Sequence, residues 1–458
     1  MPQDNVSTRS LRVSSQSKAK VRSALKRSSF PSQKALAVEI NMARATVNKF
    51  FTGRPIDFLN FVELCQQLNL DWQEVAALDD NDATEANRKE EQIDLKDAPI
   101  PKGISARPRE SEQLTRYIQD ESCRVIAVTG LLKIGKTRLV AQVAHSLSSE
   151  FDFIFWRSLK SQQKPEAWLE DALRFFTKDN KLNVEDFSKG LEQLIAFLAE
   201  KRCLLVFQDF EFVMQAGEGF GNFSSGYEKY EEILSKADHK KHQSCLVLIS
   251  RELPKYISVY QDSASPMRLI QLGGLTLEAA REILEGEDIS DQRKITGSQD
   301  AKDELIRRYD HHPLFIRIAA GHALDIANGN IDRFLEREGP VAVNGIRDLL
   351  DKAFGRLSDL EKMLIYWIAI CQEPVSENEL RRLVPVSIVQ LMEVLLSLKR
   401  RCFIEVNNQK YSISECIGRY ALRIIINQMV SEVVAEDEQL EFFNTYPLVQ
   451  PFAKENIQ

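Results

Sequence analysis

GLLKIGKT, residues 130–137, satisfies the pattern Gly-x4-Gly-Lys-Ser/Thr and lies between the apolar run VIAV (125–128) and the amphipathic stretch RLVAQVAHSL (138–147). A loop of this kind, between a strand and a helix, is built to hold phosphate. Its backbone N–H groups and the helix N-terminus face the anion, a lysine neutralises it, and a hydroxyl reaches magnesium. The expected phosphate contacts are Gly130, Leu131, Lys133, Ile134, Gly135, Lys136, Thr137 and Arg138, with Thr137 toward the metal. The competing reading is a loop that kept the fold and lost the ligand.

Working outward, FIFW (153–156), LLVF (204–207), LVLI (246–249) and RLIQL (268–272) join VIAV as short apolar runs separated by helical stretches. Continuous apolar runs of this length predict parallel strands covered on both faces, here a five-stranded sheet. LLVF ends in Gln208 and then Asp209. The residue after such a strand is normally an acid in the magnesium shell. An amide can bond a metal-bound water but adds no charge. Magnesium is therefore expected to be weakly held by Thr137, Gln208 and Asp209, with Asp209 left to orient water. Arg251 follows LVLIS at the carboxyl edge of the sheet, where a phosphate sensor would stand. Without that context it reads as a solvated surface arginine.

The 458 residues exceed what one core accommodates. The expected organisation is an arm (1–16, disordered), a helix-turn-helix domain (17–78), a linker (79–103), a phosphate-loop domain (104–274), a helical domain (275–344), a winged-helix domain (345–430) and a helix and tail (431–458). The seven cysteines are odd in number and never form a CxxC pair, which fits neither a disulfide framework nor zinc and points to a reducing, cytoplasmic compartment. MLIYWIAIC (363–371) is about half the length of a membrane span and reads as a buried helix, so no membrane association is expected. His239 and His242 fall in a charged stretch that reads as solvated, and GEGFGN (217–222) reads as a surface loop.

Residues 1–56 carry eleven Lys or Arg and two Asp or Glu, leaving −16 on the remaining 402 residues of a chain whose net charge is −7. SQKALAVEI and ARATVNKFF read as paired helices with Leu36, Ala37, Ile40, Val47 and Phe51 in one small core, and with Asn41 in the turn. If the pair reads DNA, Arg44, Thr46, Asn48 and Lys49 would face the major groove. The alternative is an adaptor whose basic face is solvated or docks a protein.

With GLLKIGKT, the Gln208-Asp209 strand end, the Arg251 strand and HHPLFIRIAAG (311–321) together, residues 104 to about 430 resemble the NB-ARC class of STAND P-loop NTPases. FDFIFWRSLK, KRCLLVFQDFE, GYEKYEEIL, HQSCLVLISRELPK and LSDLEKMLIYWIAICQEPVSENEL are similar to the cyanobacterial-type members. SQKALAVEINMARATVNKFFTGRPIDFLNF resembles the helix-turn-helix domain of the vWA-MoxR-associated kind that often precedes them. The resemblance implies an ADP-bound resting state and an ATP-bound, often oligomeric, active state. The nucleotide would be gripped between the P-loop domain, the helical segment and the winged helix. Pro313 matches the turn against adenine, and Arg107 matches the second residue of a Gly-Arg pair whose glycine is here Ala106. Leu132 and Lys133 replace two loop glycines, Gln208 replaces an acid, His311 replaces a glycine, and Ser414 stands near the place of a diphosphate-sensing histidine.

These departures imply a switch that binds ADP or ATP and hydrolyses slowly or not at all. It would act on a protein partner or on a second copy of itself. The competing readings are a DNA-binding regulator gated by the NTPase and a pseudo-NTPase scaffold. Relatives usually continue into a WD-repeat propeller, which does not follow here before Gln458.

Overall fold

The computed structural model describes residues 10–14, 17–28, 30, 32–40, 42–68, 70–76, 92–99, 106–120, 122–217, 221–239, 242–259, 266–286, 294–337, 344–434, 441–446 and 449. The chain divides into two compact units, Met1–Gln92 and Ile93–Gln458.

In the first unit, strand β1 (Ser10–Leu11) precedes helices α1 (Lys18–Arg27), α2 (Gln33–Glu39) and α3 (Arg44–Thr52). Strand β2 (Ile56–Asp57) and helices α4 (Phe58–Gln67) and α5 (Trp72–Val75) follow. Leu36, Ala37, Val47 and Phe51 are buried in one cluster with Ile40 packed against it, as their spacing predicts. Asn41 lies outside the described residues. The expected disordered arm is corrected over residues 10–14. There β1 pairs antiparallel with β2, Leu11 opposite Ile56, and Val13 bridges Ala76. Two apolar side chains two residues apart share one face of a strand, and here both Leu11 and Val13 enter the core.

The second unit opens with β3 (Ile93–Asp94) and α6 (Pro108–Gln119), then β4 (Val125–Gly130), α7 (Lys136–Ser146) and β5 (Phe153–Ser158). Helices α8 (Pro165–Thr177) and α9 (Phe187–Glu200) lead to β6 (Cys203–Gln208), α10 (Lys229–His239), β7 (Cys245–Ile249), α11 (Lys255–Val259) and β8 (Met267–Leu272). The strands form one parallel sheet in the order β3-β5-β6-β7-β4-β8. β4 is buried along its whole length, and apolar clusters cover both sheet faces. The sheet has six strands rather than the expected five, because β3 lies inside the segment read as a linker. Two residues carry no periodicity to read. Ile93 is half-buried against the sheet, and Asp94 is held by Arg157 at 2.6 Å.

Helices then take over: α12 (Leu277–Glu285), α13 (Gln299–Arg308), α14 (Pro313–Ala327), α15 (Ile331–Arg337), α16 (Asn344–Phe354) and α17 (Asp359–Cys371). They are followed by β9 (Val375–Ser376), α18 (Glu377–Leu383), α19 (Ile388–Arg400), the hairpin β10 (Glu405–Asn407) and β11 (Lys410–Ser412), and α20 (Glu415–Val434). Ser358 with Glu361 and Ser376 with Glu379 form capping boxes, each a serine three residues before its acid. The hairpin turns at Asn408 and Gln409, both at positive φ. One apolar cluster runs from Leu275 to Val449, so the boundary expected at 344/345 does not separate one core from another.

MLIYWIAIC lies in α17, much of it buried. Among the described residues no helix is long and apolar enough to cross a membrane. All seven cysteines are free thiols. His242 corrects the solvated reading: it is buried, its Nε2 lies 2.8 Å from the Ala237 carbonyl, and burial lowers its pKa.

Candidate functional site

The loop begins where β4 ends. Register sets Gly130 beside Leu272 of β8, and a Cβ at Gly130 would stand 2.7 Å from the Leu272 carbonyl oxygen, so only glycine fits. Gly135 takes φ 113° as the residue preceding α7, whose first turn has no side-chain cap. Lys133, in place of a glycine, holds φ 64°, a conformation that costs a non-glycine residue about 1–2 kcal/mol. Ile134 is buried and anchors the loop, Thr137 is half-buried and Arg138 exposed.

Lys136 opens α7, buried. Its Nζ donates to the carbonyls of Gly130 (2.8 Å) and Leu131 (2.9 Å). Burial brings its pKa down to about 8, opposed by the attraction of Glu211. The charged form persists below that value and is lost above it. Affinity for a phosphate ligand should therefore hold level up to pH about 8 and fall by up to tenfold for each further unit, since 1.36 kcal/mol accompanies one pKa unit. Titration calorimetry with ADP on either side of that pH checks this, and an affinity indifferent to pH contradicts it.

At the end of β6, neither Gln208 nor Asp209 is idle. The Gln208 amide oxygen accepts from Trp156 Nε1 (3.0 Å), and its NH2 donates to Asp209 Oδ2 (3.0 Å). Ser158 donates to the same Asp209 oxygen at 2.7 Å, and Asp209 holds φ 58°. The amide is thus a strut that orients the neighbouring carboxylate. Sequence reasoning missed Glu211, three residues on. It is buried and is the strongest negative influence on Lys136. Its carboxylate accepts from Arg251 Nε (2.5 Å), the Arg251 backbone N–H (3.2 Å) and Ser250 Oγ (3.3 Å). Arg251, expected as a phosphate sensor, thus has its guanidinium committed to Glu211. Among the described residues no group of three or more His, Cys, Asp or Glu is placed to hold a metal ion.

The next acid, Glu252, is buried at the end of β7 and reaches into the C-terminal segments. Arg356, just after α16, donates to it through Nε (2.5 Å) and Nη2 (3.2 Å), and Arg401, just after α19, lies 3.3 Å away. Arg401 also bonds the Arg356 carbonyl (2.7 Å) and pairs with buried Glu361 of α17 at 3.3 Å. Arg356 further donates to the Glu211 carbonyl at 3.0 Å. A clasp of buried charges therefore joins the strand ends to the helical segments. The cavity enclosed by Leu131, Leu132, Arg251, Glu252, Ala353, Arg356, Arg401 and Phe403 is about 20 Å³, roughly one water's room.

Two more side chains hold the loop by its carbonyls. Arg107, buried just before α6, bonds the carbonyls of Ile134 (3.0 Å) and Gly273 (2.7 Å) and pairs with Glu110 at 2.9 Å. His312 accepts from the Phe315 N–H through Nδ1 (3.3 Å) as the cap of α14, which leaves Nε2–H to donate to the Leu132 carbonyl (3.0 Å). Burial drives this imidazole down to about 4. It is neutral and its tautomer is set by the cap. Pro313 is the first residue of α14, and Asp310 and His311 before it both take φ 55°, the conformation a glycine would supply. Cys402, at φ 61° after α19, is close enough for Lys136 to act on its thiol, which burial raises to about 11.

The loop residues, Gln208, Asp209 and Arg251 thus meet at the carboxyl ends of β4, β6 and β7, and Pro313 enters from the helical side beside His312. In the first unit, Arg44, Asn48 and Lys49 are exposed on α3 and Thr46 is half-buried.

Residues 109–215 match the NB-ARC domain family. An uncharacterised WD repeat-containing protein of Nostoc sp. (strain PCC 7120) is 30% identical over 416 residues, covering 86% of this chain and 33% of the relative. The chain therefore spans about a third of that relative's length. Among solved structures, a Walker-type ATPase of Pyrococcus abyssi aligns with a TM-score of 0.47 at 14% identity, over 69% of this chain and 95% of the other. A STAND protein with a tetratricopeptide repeat sensor from Pyrococcus horikoshii aligns at 0.36 and 14%, over 77% and 49%.

Proposed function

We propose, from the premise that this chain is an NB-ARC P-loop NTPase of the STAND class, that it works as a switch whose state is set by ADP or ATP at the Lys136 loop. The observation that carries this reading is the double attachment around one loop. Arg107 and His312 hold its carbonyls from outside the strand core, while Arg356 and Arg401 hold Glu252 beside it. A phosphate taking the Lys136 ammonium would withdraw it from the Gly130 and Leu131 carbonyls. The loop would then have to shift against Leu132 and its partner His312. Packed elements respond to such shifts by changing arrangement as units.

In this reading the amides of residues 131–137 and Lys136 hold the phosphates, Thr137 and Asp209 face magnesium, and Pro313 lies toward the base. Gln208, bonded at both ends, adds no charge to a divalent ion, which supports weak metal retention and slow hydrolysis. Release of the clasp would present surface to a protein partner or a second copy.

Hydrogen exchange of backbone amides tests the coupling. Amides of 353–361 and 397–403 should exchange faster with ATP bound than with ADP bound, because the clasp anchors both stretches. Identical exchange in the two states would remove the switch while leaving nucleotide binding intact.

A further inference from the structure

The first unit presents a surface that the nucleotide site does not use. Helix α3 buries Val47, Phe50 and Phe51, and exposes Arg44, Ala45, Asn48, Lys49 and Thr52. At about 100° per residue these five positions fall within one arc of the helix, and Thr46, half-buried, falls outside it. The arc holds a guanidinium, an amide, an ammonium, a threonine and a methyl group. Arginine and lysine suit guanine, asparagine suits adenine, and an alanine or threonine methyl suits thymine. The sequence between Glu39 and Asp57 contains no acid.

Further cations converge at the end of this helix. Leu11 pairs with Ile56, a register that carries exposed Arg12 toward Pro55, one residue from exposed Arg54, and the Lys18 side chain lies across Gly53, the residue that caps α3. Arg12, Arg44, Lys49 and Arg54 have no ion-pair partner among the described residues, whereas Lys20 is paired with Glu74. Among the described residues of this unit the acids stand outside α3, at Glu39, Asp57, Glu63, Asp71 and Glu74.

We propose that this face binds duplex DNA, with α3 in the major groove and Arg12, Lys18 and Arg54 on flanking phosphates. Charge alone would serve an acidic protein surface equally. The amide and methyl groups set between the cations are what base edges require. The inference is independent of nucleotide binding at Lys136, and its test is run without nucleotide.

Fluorescence anisotropy of a labelled mixed-sequence duplex, titrated with the full chain, is the direct measurement. Four exposed cations meeting the duplex, Arg12, Arg44, Lys49 and Arg54, imply a salt slope near −3.6, so affinity should fall about 100-fold between about 50 and about 200 mM salt. The double substitution Arg44→Ala/Lys49→Ala should flatten that slope by about 2 and weaken binding at low salt by at least about tenfold, since each cation contributes a slope of roughly 0.9. Both side chains are exposed, so thermal unfolding of the variant should match the parent, and Lys362→Ala in the second unit should leave DNA binding unchanged. No anisotropy change at low salt overturns the proposal. So does binding indifferent to salt or to the double substitution, the result expected if the face serves a protein instead.

Discussion

Lys136→Ala is expected to lower affinity for ADP and ATP by at least about 100-fold, a loss of about 2.8 kcal/mol given that about 1.4 kcal/mol is tenfold. Lys136 is the cation among the loop residues whose ammonium is buried beside the Gly130 and Leu131 carbonyls, and a charge-assisted bond to phosphate in such a place is of the strong kind. The fold should survive the change. Burial already depresses this lysine, so removing it also removes a desolvated charge, and the unfolding temperature should stay level or rise. Paired calorimetry and thermal unfolding check both halves. A variant that binds within about threefold of the parent would mean that Lys136 is not the phosphate contact.

Glu252→Ala should produce the largest loss of stability. The substitution strands two guanidiniums, of which Arg401 is almost wholly buried, and removing one partner of a buried pair costs about 3–5 kcal/mol. At about 2.1 cal/mol/K of unfolding entropy per residue, a unit as long as Ile93–Gln458 shifts by about 1.3 °C per kcal/mol, so its unfolding temperature should drop by about 4–6 °C. Arg401 keeps Glu361 and Arg356 keeps backbone acceptors, so the loss falls on the junction between strand ends and helices rather than on the helices themselves. Glu252→Gln, which keeps acceptor capacity, should lose less. An unfolding temperature unchanged by Glu252→Ala would show that the clasp does not hold the strand ends to the helices.

The strands and the phosphate loop were legible because each is a local signal. VIAV, FIFW, LLVF and LVLI are continuous apolar runs, which only a strand buried on both faces tolerates. The capping boxes at Ser358 and Ser376 are equally local, each a pair three residues apart. What stayed hidden is long-range or too short to be periodic. Glu252 meets Arg356 at a separation of 104 residues and Arg401 at 149, and His312 meets Leu132 at 180, pairings that no window along a single sequence displays. β1 and β3 are two residues each. Gln208 illustrates a different gap. Its type announced a missing charge, but its service to Trp156 and Asp209 depends on where β5 places Trp156 and Ser158. Glu211 was visible in KRCLLVFQDFE, and its importance came only from the turn that folds it back onto Ser250 and Arg251.

Nucleotide binding at the Lys136 loop is the claim on which the switch rests, and titration calorimetry of the intact chain with ADP and ATP, with magnesium and with chelator, tests it most directly. Both nucleotides are expected to bind saturably, and chelation should change affinity by no more than about threefold, because the protein's contribution to the metal shell lacks the charge of a second carboxylate. Protein that evolves no binding heat with either nucleotide, with or without the metal, would contradict the account.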